Sequence, residues 1–216
     1  GASAGGLEAI HEFFDHMPET MNSSFVVIQH LSPDYKSLLV DLVSKHTHMK
    51  VYEAANDLAM HKNCIYVIPN NKLITIRNNK LHLEEKIAAK APNTAIDVFL
   101  YSLAREKKNF AIAVILSGTG TDGTRGIEAI KSCGGIVMVQ DPATAKFDGM
   151  PNSAIHSGNA DFILPPSLMP EEIIGYTNEP VIGPENCAGF EESHLEEIFQ
   201  MIQQHVGYDF HYYKTP

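Results

Sequence analysis

Continuous apolar runs alternate along this chain with segments whose apolar residues recur every three or four positions. Residues 24–30, 63–68, 111–117 and 135–140 are runs of the first kind, with Phe25-Val26-Val27-Ile28 and Ile112-Ala113-Val114-Ile115-Leu116 at their centres. Such runs suit strands buried on both faces. Leu7, Ile10, Phe13, Phe14 and Met17 trace one helical stripe, and Ile96, Phe99, Leu100 and Leu103 trace another within residues 94–107. Residues 37–45 and 122–132 also read as helices. The alternation predicts an α/β fold, a mostly parallel, doubly wound sheet in a three-layer αβα arrangement. Leu73-Ile74-Thr75-Ile76, Asn78-Asn79 and Leu81-His82-Leu83 predict an inserted antiparallel β-hairpin, because Asn tolerates the positive φ of a tight turn. A short strand at 161–164 and a helix at 170–174 complete a domain over residues 1–176. Residues 177–190 hold prolines and glycines without apolar periodicity and read as a linker. In residues 191–216, Leu195, Ile198, Phe199 and Ile202 resume a helical pattern.

Composition narrows the classes of function. With 216 residues and 44% hydrophobic content the chain can bury a sizeable core, and its formal net charge of −10 makes nucleic acid or an anionic membrane surface an electrostatically poor partner. Cys64, Cys133 and Cys187 are odd in number and widely spaced, without C-x-x-C. That argues against a disulfide framework or a zinc site and for a reducing, cytoplasmic compartment. No apolar run reaches the roughly 18 residues of a membrane span, and no signal-peptide pattern opens the chain. The chain starts at Gly1, at a turn that should follow a first strand, which suggests a piece of a larger polypeptide.

Gly1-Ala2-Ser3-Ala4-Gly5-Gly6 runs straight into the first helical stripe and fits G-x-S-x-G, the strand-to-helix turn that exposes a serine nucleophile beside backbone N–H groups. A glycine-rich turn that merely cradles an anion at a helix start fits the same residues. A serine hydroxyl needs a base, and the base needs a third group to hold its tautomer. His30 ends a buried strand, where open α/β sheets gather their sites, although a histidine bonded to backbone would sit there too. Asp122 follows the strand at 111–117 within Ser117-Gly118-Thr119-Gly120-Thr121-Asp122-Gly123, and capping its own helix would equally explain it. The glycines around Thr119 allow a backbone oxyanion site, Thr119 and Ala4 supplying the amides. The order Ser3, His30, Asp122 is not that of an ordinary α/β-hydrolase. A dinucleotide-binding reading lacks the acidic residue expected about 20 residues after the glycines.

Four blocks resemble the catalytic domain of the chemotaxis-receptor protein-glutamate methylesterases of the CheB type. They are Gly1–Gly6, Val27-Ile28-Gln29-His30-Leu31-Ser32-Pro33, the 115–123 segment, and Phe147-Asp148-Gly149-Met150-Pro151, in the family's order. The resemblance puts the family's catalytic triad on Ser3, His30 and Asp122. It implies hydrolysis of γ-glutamyl methyl esters on cytoplasmic chemoreceptor helices, deamidation of glutamines, no cofactor and no metal. Thr119 stands where the family often has Met. A phospho-receiver domain usually precedes this domain. Residues 195–214 resemble the opening of a chemotaxis methyltransferase's helical domain, which implies a methylesterase–methyltransferase fusion with a methyltransferase partner domain. The competing class is a non-catalytic anion-binding or interaction domain of a sensory protein.

Other chemistry-bearing residues read as structural. His46 and His48 lack a third ligand at zinc-like spacing, Asp97 and Arg125 read as surface ion-pair or cap residues, and the scattered methionines read as core filling.

Overall fold

The computed structural model describes residues 1–30, 38–86 and 94–178. The element order is α1 (Gly6–Asp15), β1 (Phe25–Val27), α2 (Leu39–Ser44), β2 (Lys50–Glu53), β3 (Leu58–Ala59), β4 (Cys64–Val67), β5 (Lys72–Arg77), β6 (Lys80–Glu85), α3 (Ala95–Lys107), β7 (Ile112–Ile115), α4 (Thr124–Ser132), β8 (Ile136–Gln140), α5 (Gly149–His156), β9 (Phe162–Leu164) and α6 (Met169–Asn178). Two parallel groups, β1-β4-β2 and β7-β8-β9, are joined by residues 1–3. On one side Ala2 N donates to Ile28 O (2.9 Å) and His30 N to Ala2 O (3.0 Å); on the other Leu116 N donates to Gly1 O (2.9 Å) and Ser3 N to Ser117 O (3.0 Å). The order is therefore β2-β4-β1-(1–3)-β7-β8-β9, parallel throughout.

Alternate residues of the strands feed two cores, one on each face. Ala113, Ile115, Val137 and Val139 pack with Ile96, Phe99 and Leu100 of α3 and Ile127 and Ile130 of α4. Ile65, Val67 and Met138 pack with Ile10, Phe13 and Phe14 of α1, Val43 of α2 and Ile173 of α6. This two-sided burial is why the strands read as unbroken apolar runs. The predicted hairpin is β5 and β6, turned at Asn78 and Asn79 with φ of 52° and 57°, and β3 adds a third antiparallel strand to it.

Three elements escaped the hydrophobic pattern. β2 is an edge strand with a largely exposed face, β3 has two residues, and α5 carries Pro151 in its first turn, where a missing N–H costs nothing. Cys64 is a free buried thiol. The linker at 177–190 lies almost wholly, and the helical segment at 191–216 wholly, outside the described residues. Among the described residues, no helix is long and apolar enough to cross a membrane.

Candidate active site

Ser3 stands where the 1–3 segment leaves the sheet. Its carbonyl accepts from Gly6 N (2.9 Å), the bond that turns the chain into α1, and from the Gln29 side-chain amide. The positive φ of this turn falls on Gly5 (66°), where an added Cβ would lie 2.8 Å from Lys146 Cβ. Glycine at position 5 thus absorbs the turn, and Ser3 is spared a left-handed backbone. The Ser3 hydroxyl makes no hydrogen bond to another described residue, and its Cβ packs beneath Gly118, whose own Cβ would come within 2.9 Å of it and 2.2 Å of Met150 Sδ.

His30 reaches the same end of the sheet through register. Ala2 pairs with Gln29 in parallel, so Ser3 and His30 are the next residues on adjacent strands, which run roughly 4.8 Å apart. His30 Nε2 is buried and lies 2.8 Å from Asp122 Oδ2. The distance is that of an ion pair, but the ring N–H is not aligned for a hydrogen bond. Nδ1 is the ring nitrogen that this contact leaves over.

Asp122 does not cap the helix it precedes. Gly123 holds the N-cap position of α4, while Asp122 reaches across to the amino end of α3: Oδ2 accepts from Ile96 N and Oδ1 from Asp97 N, both at 3.0 Å. Capping was a sound expectation attached to the wrong helix. The two amides hold the carboxylate in place with negative charge at a helix N-terminus, where the macrodipole favours it.

The glycine loop is knitted to its surroundings by Ser117, which sequence reading did not single out. Its amide donates to Gln140 Oε1 (2.8 Å) and its hydroxyl accepts from Phe147 N (3.0 Å), with Ala4 O (2.9 Å) and Phe147 O (3.2 Å) as acceptors for its proton. Gly118 N is occupied by Phe147 O (2.9 Å), and Met150 N bonds Gly118 O (2.9 Å). The amides of Ala4 and Thr119 donate to no other described residue.

Asp97 overturns its reading as a surface residue. It is buried, 6% exposed, and its Oδ1 accepts from Gly126 N at 2.7 Å. Burial, then the Asp122 charge, push its carboxyl up from the usual 3.8 to about 7, while amides of Gly126 and Gly123 and the exposed Arg125 pull the other way. The folded protein therefore keeps a proton that the unfolded chain releases. This stabilisation is fully present below about pH 4 and is lost as pH rises through about 7. Asp97→Asn removes the ionisation, so its stability relative to wild type should climb between pH 5 and pH 8, by on the order of 2–3 kcal/mol. Urea unfolding of both proteins at the two pH values checks this; a constant difference would refute it. His46, half-exposed, pairs with Asp15 (2.9 Å) and stacks on His11.

A parallel open α/β sheet with a serine-bearing turn and a histidine–carboxylate pair at the carboxyl ends of its strands defines the general class, that of doubly wound domains with a hydrolase-like site. Comparison with known proteins narrows it. The family model described as CheB methylesterase matches residues 1–173. A protein-glutamate methylesterase/protein-glutamine glutaminase of Trichodesmium erythraeum is 31% identical over 178 residues, covering 81% of this chain and 51% of that protein. An uncharacterised 104.1 kDa protein of Rhodobacter capsulatus is 37% identical over 126 residues, 58% of this chain and 13% of that one. The crystal structure of the Thermotoga maritima CheB methylesterase catalytic domain superposes with a TM-score of 0.73 at 30% identity, covering 81% of this chain and 95% of that chain. The chain belongs to the CheB methylesterase family. It spans about half the length of the Trichodesmium relative.

Proposed function

We propose that this chain is the catalytic part of a protein-glutamate methylesterase that hydrolyses γ-glutamyl methyl esters on the cytoplasmic helices of chemoreceptors. The observation that carries the reading is the 2.8 Å His30–Asp122 contact on a strand in register with Ser3. Ser3 Oγ attacks the ester carbonyl as His30 Nδ1 takes its proton, and Asp122 at Nε2 stabilises the imidazolium. The amides of Ala4 and Thr119 receive the oxyanion. Methanol leaves with the proton from His30, and water then cleaves the acyl-enzyme to glutamate. A glutamine side chain follows the same path with ammonia as leaving group, the second activity in the relatives' names.

The remaining parts of the reading concern the larger protein. Catalysis belongs to residues 1–176, a linker to 177–190, and a methyltransferase-like helical segment to 191–216. The match to a small part of a 104.1 kDa protein supports a multidomain parent, and receptor helices as substrate place the protein in the cytoplasm.

The test is release of labelled methanol from receptor-bearing membranes carrying methyl-labelled glutamates, together with labelling of Ser3 by a serine-directed organophosphonate. The expected result is release by the intact protein and label on the Ser3 peptide. Neither release nor label would overturn the reading in favour of a non-catalytic interaction domain.

A further inference from the structure

The amino ends of α3 and α4 exchange acids. Asp122, one residue before Gly123, the N-cap of α4, accepts from two amides in the first turn of α3, and Asp97, in that same first turn, accepts from the Gly126 amide in the first turn of α4. Each helix is thus capped by a carboxylate from the segment that opens the other. A neutral acceptor would satisfy the Gly126 amide without setting a second buried acid beside Asp122. What Asp97 supplies is an acceptor at 2.7 Å that ties α4 to α3 next to the loop carrying Asp122.

We propose that Asp97 is a positioning residue for the His30–Asp122 pair, its carboxyl locking the first turn of α4 against α3 so that the Asp122 carboxylate stays aimed at His30. This rests on the reading of Asp122 as the acid of a serine hydrolase. The groups facing Asp97 are Asp122, Arg125 and the amides of Gly123 and Gly126. Asp122 moves with the α4 entry but accepts its amides from α3, so slack between the helices changes the direction of its oxygens more than it changes the fold. A misplacement of 1 Å at such a point can cost about a hundredfold in rate.

The experiment compares Asp97→Ala, Asp97→Ser and Asp97→Asn with wild type in the full chain. One readout is the ¹⁵N shifts of the His30 ring, which report which nitrogen carries the proton. The other is kcat and KM for methanol release per folded molecule. In wild type the shifts should place the His30 proton on Nε2, the nitrogen facing Asp122. Asp97→Ala should mix the two tautomers and lower kcat by about ten- to a hundredfold with KM little changed. The shorter Asp97→Ser hydroxyl should do the same, and it carries the comparison if the alanine variant does not fold. Asp97→Asn, whose carbonyl still accepts from Gly126 N, should restore both readouts to near wild type. Unmoved ring shifts and kcat within about threefold of wild type in the alanine or serine variant would overturn the proposal. So would equal losses in Asp97→Asn. If wild type releases no methanol yet its ring shifts collapse in Asp97→Ser, the esterase reading fails and the positioning role stands.

Discussion

Ser3→Ala is expected to lower ester hydrolysis by on the order of 10⁴–10⁶, to the residue of catalysis that amides and binding alone provide. The structure makes this a clean test. The Ser3 hydroxyl bonds to no described residue, its backbone bonds to Ser117, Gly6 and Gln29 do not depend on the side chain, and alanine keeps the Cβ that packs under Gly118. The variant should therefore unfold with wild-type thermal stability. His30→Ala should lose a comparable factor, and the double variant little more, because nucleophile and base act as one unit. Steady-state kcat/KM on a methyl ester substrate measures all three. A Ser3→Ala rate within about threefold of wild type would remove Ser3 from the mechanism.

Asp122→Asn is expected to be both slow and destabilised. In a triad whose acid only holds the histidine, the amide costs on the order of 10⁴ in kcat by imposing the wrong tautomer and leaves the geometry intact. Here both oxygens already accept, Oδ2 from Ile96 N beside His30 and Oδ1 from Asp97 N. One end of the asparagine must present an N–H₂ to an N–H. If that end faces Asp97, a cap of α3 is lost; if it faces His30, the ring must turn its proton away. Turnover should fall by on the order of 10³–10⁴, with stability lower by about 1–3 kcal/mol for the orphaned buried donor. Kinetics beside urea melts separate the two losses, and an asparagine variant with unchanged turnover would contradict the role given to Asp122.

The two-sided strands and the hairpin were legible because burial on both faces and paired asparagines leave direct marks in the sequence. Ser3, His30 and Asp122 were legible as candidates because each sits where an apolar run gives way to a turn or glycine loop. β2 left no such mark, since an exposed edge strand carries little apolar signal, and the short α5 opens on Gly149 and Pro151, with few apolar residues to trace a stripe. Asp97 was misread although a signal existed: Asp97, Leu100, Tyr101 and Ala104 share one helical stripe, and all four are buried. An acid on a buried stripe needs a donor, and the donor came from a helix 29 residues away, which no local pattern encodes. Ser117 was hidden likewise, its three partner segments converging only in the fold.

The hairpin sheet looks like an ornament to the parallel core, yet it lies on α3 and is bound there by Ile76 N to Ser102 Oγ (3.0 Å) and by Asn79 N to Glu106 Oε1 (2.7 Å). The far end of the same helix holds Asp122 by two amides. In hereditary terms the insertion is not free to drift. A substitution that shifts the seat of α3 at Ile76 or Asn79 is expected to be felt at Asp122 and the histidine, so inheritance of the site would include inheritance of the hairpin's grip on α3.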